Sequence, residues 1–221
     1  MCKKLIIFGN TNAAIVAYQN IQIDTNDQVV AFTVDKEFVH QDKYMNLPLV
    51  AFEEIEKYYS PDNYQMLIAI GYGRNNKLRT DKYEEAIRKG YSLYTFIHSR
   101  ALVFNDTLIG KNCIIGGNVV IHPGVVIGDN VIIRENCFIG HHTHIKDHCF
   151  IAAGAVIAGE VTINKFCFLG VNSTIKDNLT IAQQCVIGAG VTILNSTNER
   201  EVYFTNANQK FPFNSDDLKN I

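Results

Sequence analysis

Four of the seven histidines of this chain fall within eight residues, in Ile139-Gly140-His141-His142-Thr143-His144-Ile145-Lys146-Asp147-His148. Histidine titrates near neutrality without perturbation, so such a cluster is a candidate general base. Two other readings attach to the same residues. They can be histidines tolerated on an exposed edge, or two or three of His141, His144 and His148 can ligate zinc.

The cluster sits inside a six-residue beat. Counting in sixes from Val103 through Ile109, Ile115 and Ile121 to Ile193, every position is a branched aliphatic, Leu169 included. Four residues after each beat the chain favours a small residue, as at Val119, Val131, Thr143, Ala155 and Ser173, and the residue after the beat is often glycine or alanine. A short fixed period of this kind marks a parallel β-helix, in which each repeat buries its apolar residue only against the repeats stacked on it. Six extended residues cover about 20 Å, so three of them close one triangular coil and residues eighteen apart lie one above another. That register stacks His141 between Pro123 and Gly159, and His142 between Gly124 and Glu160.

The chain has 221 residues, room for two domains, and the beat begins only near residue 100. Its formal charge of −2 and its scattered lysines and arginines speak against a nucleic-acid partner. The apolar run Leu5 to Phe8 is too short for a signal-peptide core or a membrane span, which leads to the expectation of a cytoplasmic protein without membrane insertion. Five of the six cysteines, Cys113, Cys137, Cys149, Cys167 and Cys185, occupy the small position of the repeat and read as inward wall residues. No C-x-x-C spacing occurs, and no metal is expected.

Ahead of the beat, Lys3 to Phe8 reads as a buried strand, Gly9-Asn10-Thr11-Asn12 as a tight turn, and Ala13 to Tyr18 as helix. A second strand is expected over Gln28 to Thr33 with Asp35 just beyond it, a third over Gln65 to Ile70 leading into Gly71-Tyr72-Gly73, and a helix over Asp81 to Lys89. Alternating strands and helices imply a small parallel sheet. An acid in the position of Asp35 commonly reads a ribose hydroxyl in dinucleotide folds, and a glycine turn at a helix N-terminus suits phosphate. The turn keeps only the first glycine of G-x-G-x-x-G, which argues against a full dinucleotide site and leaves a merely connecting turn as the alternative.

The combination of Lys4-Leu5-Ile6-Ile7-Phe8-Gly9, Ile68-Ala69-Ile70-Gly71, Phe96-Ile97-His98-Ser99-Arg100-Ala101, the histidine cluster and Cys167-Phe168-Leu169-Gly170-Val171-Asn172-Ser173-Thr174-Ile175 resembles the bacterial sugar O-acyltransferases of the sialic acid O-acetyltransferase type. That family includes nucleotide-amino-sugar N-acetyltransferases. The resemblance implies an α/β, Rossmann-like βαβ domain over residues 1–98 and a left-handed parallel β-helix of hexapeptide repeats over 99–195, followed by a tail over 196–221. It implies a homotrimer, with acetyl-CoA along the groove between adjacent β-helices and a nucleotide-linked amino sugar held by the N-terminal domain.

By the same resemblance His141 is the catalytic base and the Gly159 N–H steadies the thioester carbonyl. Asp35, with Lys36 beside it, reads the nucleotide, while Gly9, Asn10, Thr11, Asn12 and Gly71 line the phosphates and sugar. Gly159, Phe150, Gly170 and Gly188 are assigned to acyl-CoA. Three departures from the family pattern stand out. His142 replaces a carboxylate after the catalytic histidine, with Glu160 as a substitute orienting acid one coil above. Phe150 replaces a histidine that touches the acyl carbonyl. Tyr203 to Asn214 replaces a G-x-P-A-K segment. The implied activity is N-acetylation of a dTDP-, UDP- or GDP-linked amino sugar; O-acetylation of sialic acid or a related sugar and a zinc-dependent trimeric hydrolase are the alternatives.

Overall fold

The structure, a computed structural model, describes residues 2–205. It opens with β1 (Lys4–Phe8), α1 (Asn12–Asp24), β2 (Gln28–Val34), β3 (Lys43–Tyr44), β4 (Leu47–Ala51), α2 (Ile55–Tyr58), β5 (Gln65–Ile68), α3 (Lys77–Arg88) and β6 (Ser92–Leu93). These strands form one sheet in the order β3-β4-β2-β1-β5-β6, parallel except for β3. Leu5, Ile6 and Ile7 of β1 are wholly buried, as a central parallel strand covered on both faces requires.

The chain turns from β1 into α1 through Gly9, whose φ of +126° and 3.0 Å approach of an added Cβ to the Ala69 carbonyl admit only glycine. The helix α3 begins four residues before the expected Asp81. Asn76, in the left-handed region, starts it, and its carbonyl accepts both the N–H and the Oγ hydrogen of Thr80. Lys77 to Thr80, with Leu78 as its single apolar residue, carries no apolar periodicity that would have marked it.

From Phe96 the chain winds as a parallel β-helix of two-residue strands on three faces. The first face stacks Phe96–Ile97, Ile114–Ile115, Ile132–Ile133, Phe150–Ile151, Phe168–Leu169 and Val186–Ile187; the second runs from Leu102–Val103 to Thr192–Ile193, the third from Leu108–Ile109 to Thr180–Ile181. Partners are offset by eighteen residues, as in Ile114↔Ile132 and Phe138↔Val156. The residues on the beat fill the centre with the five wall cysteines. Each thiol in the middle coils donates to a carbonyl on its neighbour, for example Cys137 Sγ to Ala152 O at 3.1 Å and Cys149 Sγ to Asn164 O at 3.0 Å. Burial pushes the Cys137 thiol up to about 11 and that of Cys113 to about 12, so both stay protonated packing groups. After Ile193 the strand Val202–Tyr203 adds a last rung to the first face; residues 206–221, and with them most of the Tyr203 to Asn214 segment, lie outside the described residues.

The N-terminal domain docks on the first face, where Tyr94, Phe96, Ile114, Ile132 and Phe150 join one apolar cluster with Leu5, Ile7, Ala14 and Phe32. Beneath α3 the contact is polar. Arg79 is fully buried and donates through Nε to Asn130 Oδ1 (3.1 Å), through Nη1 to Gly71 O (2.9 Å) and Asn76 Oδ1 (3.1 Å), and through Nη2 to Cys149 O (3.1 Å). Desolvation lowers its pKa to about 10, which leaves it charged at neutral pH among neutral acceptors. Asn112 accepts the Ile68 N–H at 2.8 Å and donates to Asn130, and Asn130 meets His148 Nδ1 at 3.0 Å.

Replacing Arg79 by alanine strands several buried acceptors at this seam, and we expect a loss of about 3–5 kcal/mol in denaturant unfolding. A change within 1 kcal/mol would show that the seam contributes little. His148 provides a second test. Burial holds its pKa below the ordinary 6.5, so the unfolded chain takes up a proton first as pH falls, and stability is lost below about pH 6.5. Between pH 7.5 and 5.5, Tm should fall more in the wild type than in His148→Gln.

Candidate active site

The N-terminal domain forms a cleft of about 280 Å³ at the carboxyl ends of β1 and β2, lined by Gly9, Asn10, Thr11, Asp35, Phe38, Ile70, Leu78 and Lys82 among others. The crevice lies where the chain reverses its order across β1, which is where open α/β sheets bind ligands. Thr11 caps α1 in an extended conformation and the first turn of that helix holds no acid, so its free N–H groups are available to an anion. Asp35 is held by Lys82, with Oδ1 to Nζ at 2.5 Å, and Lys82 also meets Glu85 at 3.0 Å. The Lys82 ammonium stands over the rings of Phe8 and Phe52, and these acids raise its pKa against the larger opposing effect of burial. Phe38 and Leu78 leave apolar surface exposed beside the charged pair.

Not all the expected nucleotide residues converge there. Lys36 donates its N–H to Glu53 and borders a separate shallow groove with Val39, Leu49 and Tyr58. Asn12 starts α1 and does not line the cleft. Gly71 has its carbonyl tied to Arg79 and borders a second cavity of about 150 Å³ between α1 and the first face, with Tyr72, Arg134, Glu135 and Phe150. Lys82, Arg79 and Arg134 were not singled out from the sequence; a lysine three residues before Glu85 on a polar helix carries no local mark of the pocket beneath it.

His141 and His142 occupy the corner between the second and third faces, and the expected stacking appears in the backbone: His142 N–H donates to Pro123 O and Glu160 N–H to His141 O. The His141 ring lies flat against Gly159, so close that an added Cβ there would come within 2.6 Å of Nε2 and Cε1. The Gly159 N–H has no acceptor among the described residues, and is free to meet an oxyanion. Nδ1 of His141 meets Nδ1 of His142 at 3.2 Å. Glu160 makes no side-chain hydrogen bond or ion pair with either ring among the described residues, so within one chain it does not supply the orienting carboxylate expected of it.

The remaining assignments separate in space. Phe150 lies on the first face, stacked on Phe168 and edge-on to Tyr72, and is committed to the domain contact rather than to the His141 corner of its own chain. Gly170 and Gly188 follow first-face strands and belong to a different corner from Gly159, and Gly188 is covered by Phe204. His148 is turned to Tyr83 and Phe166, away from His141. Among the described residues no group of three or more histidine, cysteine or acidic side chains is arranged to hold a metal ion, and no helix is long and apolar enough to cross a membrane.

Residues 106–141 match the family described as bacterial transferase hexapeptide (six repeats), and residues 160–195 match the hexapeptide repeat of succinyl-transferase. No curated protein sequence matches the chain. Among solved structures it is similar to perosamine N-acetyltransferase from Caulobacter crescentus, crystallised with CoA and GDP-perosamine, at 21% identity and a TM-score of 0.83 over 91% of this chain and 93% of that one. It is also similar to the acetyltransferase domain of PglB from Neisseria gonorrhoeae (22% identity, TM-score 0.81, 90% and 95% covered) and to WeeI from Acinetobacter baumannii (15%, 0.76, 90% and 95%). The repeats thus match hexapeptide families of transferases over these two stretches, and the two-part fold is similar to that of the three solved structures.

Proposed function

We propose that the protein transfers an acetyl group from acetyl-CoA to the amino group of a nucleotide-linked amino sugar. The observation that carries this reading is the pairing at one corner of an imidazole with the glycine it packs on, His141 on Gly159, whose backbone N–H has no acceptor among the described residues. Acyl transfer needs those two groups. The amine must shed its extra proton to be nucleophilic. As its nitrogen bonds to the thioester carbon, His141 Nε2 takes the second proton, and Gly159 N–H stabilises the oxyanion. Collapse breaks the C–S bond, and the departing thiolate recovers the proton as CoA thiol. The structures with bound CoA, acetyl-CoA and GDP-perosamine favour an amine over a hydroxyl acceptor.

The nucleotide occupies the cleft of Gly9, Asn10, Thr11 and Asp35, with phosphates at the α1 N-terminus. That cleft belongs to the N-terminal domain, which docks on the first face, whereas His141 is on the corner between the second and third faces. A neighbouring copy must bring its own corner to the cleft, which supports the trimer. Leu102, Leu108 and Val156 leave apolar side chains exposed on the other two faces for such contacts.

Release of CoA thiol, followed with a panel of UDP-, dTDP- and GDP-linked amino sugars, should reveal at least one strong acceptor; transfer only to sialic acid hydroxyls would overturn the amine reading. His141→Ala should lower kcat by about 10²–10⁴-fold with acetyl-CoA affinity nearly intact. Asp35→Ala should raise KM for the nucleotide sugar more than it lowers kcat, since Asp35 would bind a handle remote from the reacting nitrogen. Lost turnover at unchanged KM would mean that the cleft does not hold the nucleotide.

A further inference from the structure

The His141–His142 contact fixes more than a distance. At 3.2 Å between the two Nδ1 atoms, one ring must donate and the other accept, because two bare lone pairs or two protons there would repel. The donor is decided by the other end of each ring. Nε2 of His141 lies against Gly159, and a base at that atom needs an unprotonated lone pair, so its proton resides on Nδ1. His142 is then the acceptor and carries its own proton on Nε2.

His142 is built into this role. It sits in the left-handed region (φ 54°) at a corner position that asparagine occupies in many other coils, as at Asn112, Asn118, Asn130, Asn136, Asn172 and Asn178. Its ring packs on Gly124 in the coil below, where an added Cβ would come within 2.6 Å of Cδ2. The two imidazoles are thus seated on glycines in opposite directions, His141 upward on Gly159 and His142 downward on Gly124, with their Nδ1 atoms meeting between. The acids of this corner are engaged elsewhere or too far away. Asp106 accepts the Gly124 N–H at 2.8 Å, Asp177 accepts from Asn178 at 2.7 Å, and Glu160 bonds to neither ring. Among the described residues no carboxylate bonds to His141 Nδ1.

We infer that His142 is a positioning residue, a neutral imidazole that accepts the Nδ1 proton of His141 and so holds the base in the tautomer with Nε2 free. The inference rests on His141 being the base of the proposed transfer. It substitutes a neutral acceptor for a carboxylate, so the imidazolium formed during reaction gains a hydrogen bond without a full opposing charge.

The test combines ring-nitrogen NMR on histidine-labelled protein with steady-state rates. In the wild type, His141 should show a protonated Nδ1 and a bare Nε2, and His142 the reverse. His142→Phe keeps a ring on Gly124 but no acceptor. It should shift His141 toward the Nε2–H tautomer and lower kcat about 10- to 100-fold, as loss of an orienting partner does at a metal-bound histidine, with KM for acetyl-CoA within about twofold. His142→Glu, which restores an acceptor, should recover most of the lost rate. The assignment is overturned if wild-type His141 carries its proton on Nε2, or if His142→Phe is folded and within twofold of the wild-type rate. Should no amino sugar accept an acetyl group, the proposed function falls while the tautomers still decide the dyad.

Discussion

The constraint on which the molecule depends is the parallel pairing of each two-residue strand with the strand one coil away. Two backbone bonds per strand are little by themselves, but the ladder repeats on three faces and the interior is one continuous cluster of buried residues, chiefly isoleucine, valine and cysteine. A slip of one residue in any coil would turn the beat outward and expose a whole aliphatic row. Because slips are so costly, each corner becomes a column of fixed composition, and a side chain at one corner meets a known residue above and below. The seat of His141 on Gly159 is a consequence of that register rather than of any local attraction between the two.

The second determinant is the seam between the domains. A fully buried guanidinium surrounded by carbonyls and asparagines is expensive to desolvate, and no carboxylate among its partners offsets the charge. What it secures is position: Arg79 reaches Gly71 on one side and Asn130 and Cys149 on the other, so the loop after β5 and two coils of the β-helix move as one piece. The cleft at the end of β1 therefore keeps a set orientation relative to the first face, which any chain-to-chain site would need.

What the sequence disclosed follows from this division. The β-helix was legible almost to the residue, because a six-residue period is imposed by backbone pairing and every repeat reports it. The corner stack was legible for the same reason. The sheet of the first domain could be read as strands and helices, since its strands are continuous apolar runs, but the start of α3 could not, because Lys77 to Thr80 carries no apolar periodicity and is held by Asn76 and a tertiary arginine. Phe150 was assigned to the acyl pocket by the resemblance alone, and its place on the first face, in the contact with the N-terminal domain, depends on partners distant in sequence. Lys82 was invisible for a related reason: its partner Asp35 is 47 residues away, and nothing in a helix sequence announces a contact made across a sheet.

Two corners of the β-helix, the one that carries His141 and the one that carries His148, Phe166 and Gln184, place residues other than asparagine and glycine in the left-handed region. Left-handed φ is cheap for asparagine and glycine and costs a side chain such as glutamate about 1 kcal/mol or more, yet His142 and Glu160 follow one another at the first of these corners. His148 and Phe166 break the asparagine habit too, but they are repaid by contact with Tyr83 and by stacking on each other. Glu160 has no such contact among the described residues. Its side chain is exposed, so water solvates the carboxylate, and it lies one coil above the two imidazoles. The separation of the cleft from His141, rather than the strain at this corner, is what favours the proposed assembly, in which a second copy of the chain would close over the corner.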